Sequence, residues 1–363
     1  MSVDSTPNPV PAYNHIIVVI GENKNAGSVF EKKRAPYINS LAASGARFSN
    51  AFALFHPSQP NYLALFSGSN QGITGDEYIT TKFNTPNLGS GLIKSGRTYI
   101  TYSEGLPSLG YDGNSNGLYG RKHNPSANWV GSGNNQLPAT TNKPFSDFPS
   151  DFNNLPSVCF VIPDACNDGH DGCYPLYNNV LQYDQWIKNH LASYAQWCVN
   201  NNSLLIITFD EDEFTAINKI ATVFYGAHIV PGTYTENINH YTVLRTIEDA
   251  FRIATHAGSA AFALPVDNCW TNSMLSNTIS EPAMRVYPNP AKNMINIEIN
   301  DLGLHGYIRW EIDGLMGAVL RRGDINGRVA KTSINILELK NGVYVLRISD
   351  GTTIRLNKFV VTR

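Results

Sequence analysis

Charge is scarce in this sequence. Only 15% of its 363 residues are Asp, Glu, Lys or Arg, against roughly 25% in ordinary globular chains. The 27 basic and 29 acidic residues leave a net charge of −2. Such a balance supplies no footprint for a phosphate backbone, which argues against a nucleic-acid-binding role. Long hydrophobic runs are also missing. Stretches such as Ile16 to Ile20 and Leu204 to Ile207 have strand length, far short of the ~18 apolar residues of a membrane span. The opening residues, MSVDSTPNPVPAYN, show neither a basic n-region nor an apolar h-region, so no signal peptide is visible. The protein is therefore expected either to stay inside the cell or to be an exported chain whose signal has been removed. Cysteine is sparse too, at five residues. An odd number leaves at least one thiol without a partner in the chain, and the pairing of the rest cannot be deduced from sequence. Cys166 and Cys173 lie seven apart in a Gly/Asp-rich loop, a spacing that suits a small disulfide ring as well as it suits two free thiols.

The missing charge is replaced by neutral polar residues, including 40 asparagines, beside 42% hydrophobic residues, 29 glycines and 18 tyrosines. This composition supports a sizeable core and excludes both disorder and coiled coil. The charge is also unevenly spread. Residues 283–363 carry 12 basic and 7 acidic side chains, a net +5, whereas residues 1–282 carry 15 and 22, a net −7. The texture changes at the same point, and a chain of this length accommodates two domains.

In the longer part, strand-like runs (His15–Ile20, Thr98–Tyr102, Ser157–Ile162, Ser203–Phe209, Ile220–Tyr225) alternate with helical patterns (Pro36–Ala46, Tyr62–Gly68, Asp184–Asn200, Tyr241–Phe251). That alternation predicts an α/β fold with an open, mainly parallel sheet covered on both faces. Functional residues of such sheets gather beyond the carboxyl ends of the strands. Residues 104–155, polar and rich in Gly, Asn and Pro, read as a loop excursion shaping an active site. Beyond residue 283, six or seven short strands separated by Gly turns predict a small all-β sandwich.

Three features stand where chemistry would be placed. Glu22-Asn23 follows the first strand, and Asp210-Glu211 ends the run LLIITF. Adjacent buried carboxylates repel each other and are costly without a cation, so a divalent metal is the economical explanation. Asp212 and Glu213 equally fit a solvated turn. The third feature is His56-Pro57-Ser58-Gln59-Pro60-Asn61-Tyr62, opening a helix. A helix start offers backbone N–H groups and a positive dipole end to an anion. Ser58 is placed either as a nucleophile toward a phosphoryl group or as an ordinary helix cap.

The stretches HIIVVIGEN, APYINSLAASGARFSNAFALFHPSQPNYLALFSGS, RKHNPSANW, LPSVCFVIPDACNDGHDG, NNSLLIITFDEDE and NHYTVLRTIEDAF resemble the bacterial and fungal acid phosphatase/phospholipase C phosphoesterase family of the alkaline phosphatase superfamily. The likeness covers roughly residues 13–275 in the family's order. It implies a three-layer α/β/α domain, Ser58 as nucleophile, and Asn61 beside it as a substrate ligand. It further implies a divalent metal, one ion rather than two, held by Glu22, Asn23, Ser58, Asp210 and Glu211. Asp168-Gly169-His170 matches the family's Asp-x-His, which implies that His170, with Asp168, contacts the phosphoryl oxygens or protonates the leaving group. His240 and His123 are implied phosphate contacts, and Asn23 is placed to touch substrate as well as metal. The chain departs from the family at Lys24-Asn25, where His or Arg-Ser commonly follows Glu-Asn.

From Met284 onward, the opening Tyr287-Pro288-Asn289-Pro290 and the ending LKNGVYVLRISDGTTIRLNKFVVTR resemble the sorting domain of the Bacteroidetes type IX secretion system. A carbohydrate- or protein-binding sandwich is the competing reading of these 80 residues. The resemblance implies export, with the secretion machinery as partner and the cell surface or medium as destination. The expected division is a tail at 1–12, a catalytic domain at 13–277, a linker at 278–283 and the sandwich at 284–363. The expected activity is hydrolysis of small phosphomonoesters through a phosphoserine, with a phospholipase C-type phosphodiesterase as the alternative and a non-catalytic binding protein as the reading from another class.

Overall fold

The computed structural model describes residues 10–30, 33–271, 284–299, 307–314, 319–326, 331–349 and 354–363. Residues 1–9 of the expected tail and all of the expected linker lie outside them. The chain divides into two compact units, Met1–Ser273 and Met274–Arg363.

The first unit runs β1 (His15–Gly21), α1 (Ala26–Phe30), α2 (Pro36–Ser44), β2 (Ala46–Phe52), α3 (Ser58–Ser67), α4 (Leu88–Lys94), β3 (Tyr99–Ser103), a hairpin of β4 (Ser115–Asn116) and β5 (Tyr119–Gly120), β6 (Asn142–Pro144), β7 (Val158–Ile162), α5 (Asn179–Cys198), β8 (Ser203–Phe209), β9 (Thr222–Gly226), β10 (Gly232–Asn239) and α6 (His240–Ala250). Eight strands form one sheet in the order β10-β2-β9-β8-β1-β7-β3-β6. All neighbours are parallel except β9, which runs antiparallel to both β2 and β8. The carboxyl ends of the seven co-directional strands therefore share one edge.

Strands β1 and β8 sit at the centre, and their apolar runs follow from burial on both faces. Every residue of β8 is buried, as is every residue of β1 after His15. At the edge, β10 alternates half-buried and exposed positions over most of its length, as an edge strand with one covered face does. Helix α5 covers one side through Val180, Tyr183, Trp186, Ile187, Leu191 and Tyr194, and Asn178 caps it by accepting from Leu181 N at 3.2 Å.

Helix α3 begins at Ser58 rather than near Tyr62, and all ten of its residues are buried. Prolines 57 and 60 do not prevent this start, because the first-turn N–H groups have no intrahelical acceptor to lose. Gly68 ends the helix at φ +67°, where a Cβ would lie 2.1 Å from Ala257 O; only glycine fits. The excursion 104–155 is loop with short 3₁₀ turns, and it also supplies the edge strand β6.

Among its described residues the second unit holds seven strands: β11 (Met284–Tyr287), β12 (Met294–Ile299), β13 (Tyr307–Gly314), β14 (Val319–Asn326), β15 (Lys331–Asn335), β16 (Gly342–Ser349) and β17 (Ile354–Val361). They form antiparallel sheets β11-β12-β15 and β14-β13-β16-β17. Ile295, Ile297 and Ile334 from one sheet and Ile312, Leu346, Ile348 and Phe359 from the other belong to a single apolar cluster, which makes this unit a β-sandwich.

Candidate active site

The strand ends deliver a set of oxygens to one hydroxyl. Ser58 Oγ lies 3.1 Å from Glu22 Oε2, 3.3 Å from Asn23 Oδ1 and 3.1 Å from Glu211 Oε1. These groups come from the ends of β1 and β8 and from the first residue of α3, elements far apart in sequence but adjacent at the sheet edge. Pro57 occupies the N-cap position and Ser58 is the first helical residue, so the cap reading gives way to a hydroxyl turned toward the carboxylates.

Asn23 adopts φ +50°, a conformation that asparagine tolerates better than most residues. In that turn its backbone N–H donates to Asp210 Oδ1 at 2.9 Å while its side-chain oxygen faces Ser58. Tyr62, one helical turn after Ser58, donates its hydroxyl to Glu22 Oε1 at 2.6 Å. On the far side of Glu211, His56 Nδ1 meets Oε2 and His56 Nε2 lies 3.1 Å from Thr215 O.

Acceptors outnumber protons here. Ser58 has one proton for three neighbouring oxygens, and the buried Asp210 Oδ2 and Asp168 Oδ2 have no hydrogen-bond partner. Burial, reinforced by the charge of Asp168, pushes the Glu22 carboxyl up to about 8. Burial raises Asp210 well above the carboxylate range, with Glu22 and Glu211 adding to it. Asp168 is raised the same way, and Glu211 is raised by burial against the pull of His56. Among the described residues no three His, Cys, Asp or Glu side chains alone form a metal cluster. The convergence is on Ser58 Oγ and includes the amide oxygen of Asn23.

The histidines divide. His123 is buried and stacks on Tyr62 with ring centroids 5.3 Å apart. Its Nε2 lies 3.2 Å from Glu22 Oε1 and its Nδ1 3.9 Å from Asp168 Oδ2, and burial holds it well below the usual imidazole range. His240, first residue of α6, bonds through Nε2 to Phe209 O at 3.0 Å. Its Nδ1 is buried without a partner, and burial lowers the ring to about 4. His170 differs from both: half its side chain is exposed and its Nδ1 pairs with Asp171 at 2.8 Å. Its link to the site is its backbone N–H, which donates to Asp168 Oδ1 at 2.8 Å. A disulfide between Cys166 and Cys173 closes this loop, and Cys159, Cys198 and Cys269 are free and buried.

Asn61 differs from the expectation of a substrate ligand. Its Oδ1 accepts from Leu54 N at 3.1 Å and Phe55 N at 2.9 Å, and its Nδ2 donates to Phe55 O at 2.8 Å and Pro57 O at 3.4 Å. The amide is spent on the loop that precedes Ser58 and holds that loop in place. The sequence reading also passed over His56, Tyr62 and Asp76. Asp76 Oδ1 accepts from Gln59 N at 2.9 Å and its Oδ2 from Lys122 Nζ at 2.7 Å. The signal for His56 and Tyr62 was their place in the HPSQPNY segment; Asp76 lies in a loop with no motif around it.

Comparison with known proteins places the chain in a family. A model of the Phosphoesterase family matches residues 13–254, and one of the secretion system C-terminal sorting domain matches residues 285–362. Phosphatidylinositol-3-phosphatase of Mycobacterium tuberculosis is 45% identical over 263 residues, covering 72% of this chain and 84% of that protein. A probable acid phosphatase of Kluyveromyces lactis is 31% identical over 239 residues, covering 61% of this chain and 55% of the yeast protein. A solved alkaline phosphatase superfamily protein from Vibrio parahaemolyticus has a TM-score of 0.50 at 11% identity over 83% of this chain and 81% of that one; it shares the fold. The chain belongs to the Phosphoesterase family and is a hydrolase of phosphoric esters.

Proposed function

We propose that this protein is an exported, metal-dependent phosphomonoesterase that uses Ser58 as its nucleophile. The observation that carries the reading is the convergence of Glu22, Asn23 and Glu211 on the Ser58 hydroxyl at the start of a buried helix. Asp210 Oδ2, buried and without a partner, fits the same donor set. Glu22, Asn23, Ser58, Asp210 and Glu211 would hold one divalent cation. When bound, such an ion supplies positive charge that favours the ionised hydroxyl and offsets charge on the phosphoryl group.

Ser58 gives its proton to one of the carboxylates 3.1 Å away, Glu22 or Glu211; its Oγ attacks phosphorus, the bond to the ester oxygen breaks, and the alcohol leaves with a proton. His170, at the solvent side of the loop that Asp168 anchors, is assigned to supply that proton. Water then cleaves the phosphoserine and releases inorganic phosphate. His123 and His240 stay neutral under burial, so each offers a lone pair or one N–H rather than a charge. The names of the mycobacterial and fungal relatives are those of phosphatases, which supports monoesters over diesters. The sorting-domain match at residues 285–362 supports export by the type IX machinery.

The test is a rate comparison of 4-nitrophenyl phosphate with bis(4-nitrophenyl) phosphate, before and after chelation, with metal content measured on the same samples. Turnover of the monoester that falls at least tenfold on chelation and returns with a divalent ion supports the reading. Equal rates on the two esters favour the phosphodiesterase alternative, and full activity in metal-free protein refutes metal dependence.

A further inference from the structure

The site is rich in carboxyl groups, yet its proposed substrate is an anion. Glu22, Asp168, Asp210 and Glu211 are joined by Asp76, whose carboxylate occupies the Gln59 N–H beside Ser58. Two lysines act electrostatically on this group. Lys24 is 8% exposed and donates its ammonium to Asn23 O at 2.7 Å, so it is committed within the β1 turn. Arg121 is committed as well: its guanidinium donates to Ile79 O at 2.7 Å and lies 3.2 Å from Asp112. Lys122 is different. Its side chain is 36% exposed, its charge acts on Glu22 and Asp210 across the site, and its neighbour His123 lies 3.2 Å from Glu22.

The support beneath Lys122 is built rather than incidental. Gln59, the residue after Ser58, is buried, and its Nε2 donates to both Gly75 O and Glu77 O at 2.9 Å. That bracket fixes Asp76 between them, with one oxygen on the Gln59 backbone and the other 2.7 Å from Lys122 Nζ. The nucleophile's own helix thus holds the carboxylate that holds the lysine. An isolated, partly exposed ion pair adds little to stability, so stability alone gives little reason for such a frame.

We propose that Lys122 binds the phosphoryl group of the substrate and sets a preference for dianionic monoesters over monoanionic diesters, with Asp76 as its positioning residue. The inference rests on the reading of Ser58 as nucleophile. A monoester phosphate carries a charge approaching −2 above its second pKa near ~6, whereas a diester carries −1. An ammonium held at the site by Asp76 favours the more highly charged group.

The experiment measures kcat and KM of the metal-loaded full chain for the same two nitrophenyl esters above about pH 7.5, where the monoester is dianionic. Inhibition by inorganic phosphate is measured in parallel. A hydrogen bond to a charged partner is worth ~1.5–3 kcal/mol, or roughly 10- to 150-fold. Lys122→Met is expected to lose about that factor in kcat/KM for the monoester, chiefly through KM, and to weaken phosphate inhibition alike. The diester should change less than about threefold, so the preference between esters shrinks. Lys122→Arg should restore most of the preference, and Asp76→Asn should raise the monoester KM while leaving metal content unchanged. Lys122→Gln replaces the methionine variant if that one melts early, under the same criterion. Equal losses on both esters, or none on either, overturn the inference while wild-type hydrolysis leaves the Ser58 reading standing. Wild-type protein that hydrolyses neither ester overturns that reading as well.

Discussion

Asn61 separates two accounts of this site. As a substrate ligand it would matter to binding and little to stability; as observed, its four hydrogen bonds hold the loop Leu54–Pro57 that leads to Ser58. Asn61→Ala removes the acceptor of two backbone N–H groups and the donor to two carbonyls, at a side chain only 1% exposed. At ~1 kcal/mol per lost bond, with the 3.4 Å contact counted as weak, the cost is about 2–4 kcal/mol. For a unit of this size that corresponds to a melting temperature lower by roughly 5–10 °C. Displacement of the nucleophile should also lower kcat by ~10- to 100-fold with KM within about threefold. Asn61→Asp retains the acceptor and loses the donor, so it should fall between. Thermal melts and steady-state kinetics on the monoester check both. A variant melting within about 2 °C of the wild type, with KM raised tenfold or more and kcat intact, would refute the positioning role.

Other consequences follow from particular residues. Glu248 on α6 is buried, accepts from Ala257 N at 2.8 Å and is pushed up to about 8 by burial. The folded state therefore keeps its proton between the ordinary value of 4.5 and about 8, and stability from this group is lost as pH rises through that window. Relative to wild type, Glu248→Gln should gain up to ~3 kcal/mol between pH 5 and pH 9 in urea melts; a pH-independent difference would contradict the burial argument. Replacing Cys166 and Cys173 by Ser opens a ring of sequence separation seven, for which the chain-entropy model gives about 2.5 kcal/mol. Chemical denaturation should show that loss, accompanied by lower activity because the ring carries Asp168 and His170. Removing residues 284–363 should leave kcat/KM within about twofold of the full chain, since the proposed catalytic groups all belong to the first compact unit; a tenfold fall would show that the second unit supports catalysis.

Much of the architecture was legible because burial imposes simple patterns. β1 and β8 are apolar on both faces, so HIIVVIG and SLLIITF announce central strands and place Glu22 and Asp210 at their ends. The strands at the β10 end of the sheet were not legible. GTYTENIN alternates half-buried and exposed positions over most of its length, and its neighbour ARFSNAF mixes buried with half-buried ones, so neither shows the unbroken apolar run of a central strand. The apolar run of helix α3 becomes legible only from Tyr62, because its first turn, Ser58-Gln59-Pro60-Asn61, is polar apart from a proline that suits a helix start. Within the site, Ser58, Glu22, Asn23, Asp210 and Glu211 were visible as strand-end and helix-start residues, and the structure brings them together. The role of Asn61 was not visible: a side chain's bonding to its preceding loop depends on how that loop folds back. Nor was Asp76, which meets Gln59 and Lys122 only through tertiary packing.

The central claim is that Ser58 carries the phosphoryl group. The most direct measurement is rapid acid quenching of enzyme turning over a monoester, followed by peptide mass spectrometry, with Ser58→Ala assayed beside it. The account predicts one phosphoryl group on the peptide containing Ser58, and a fall in kcat of at least ~10³-fold in the alanine variant. Near wild-type turnover by Ser58→Ala, with no phosphopeptide from the wild type, would contradict it.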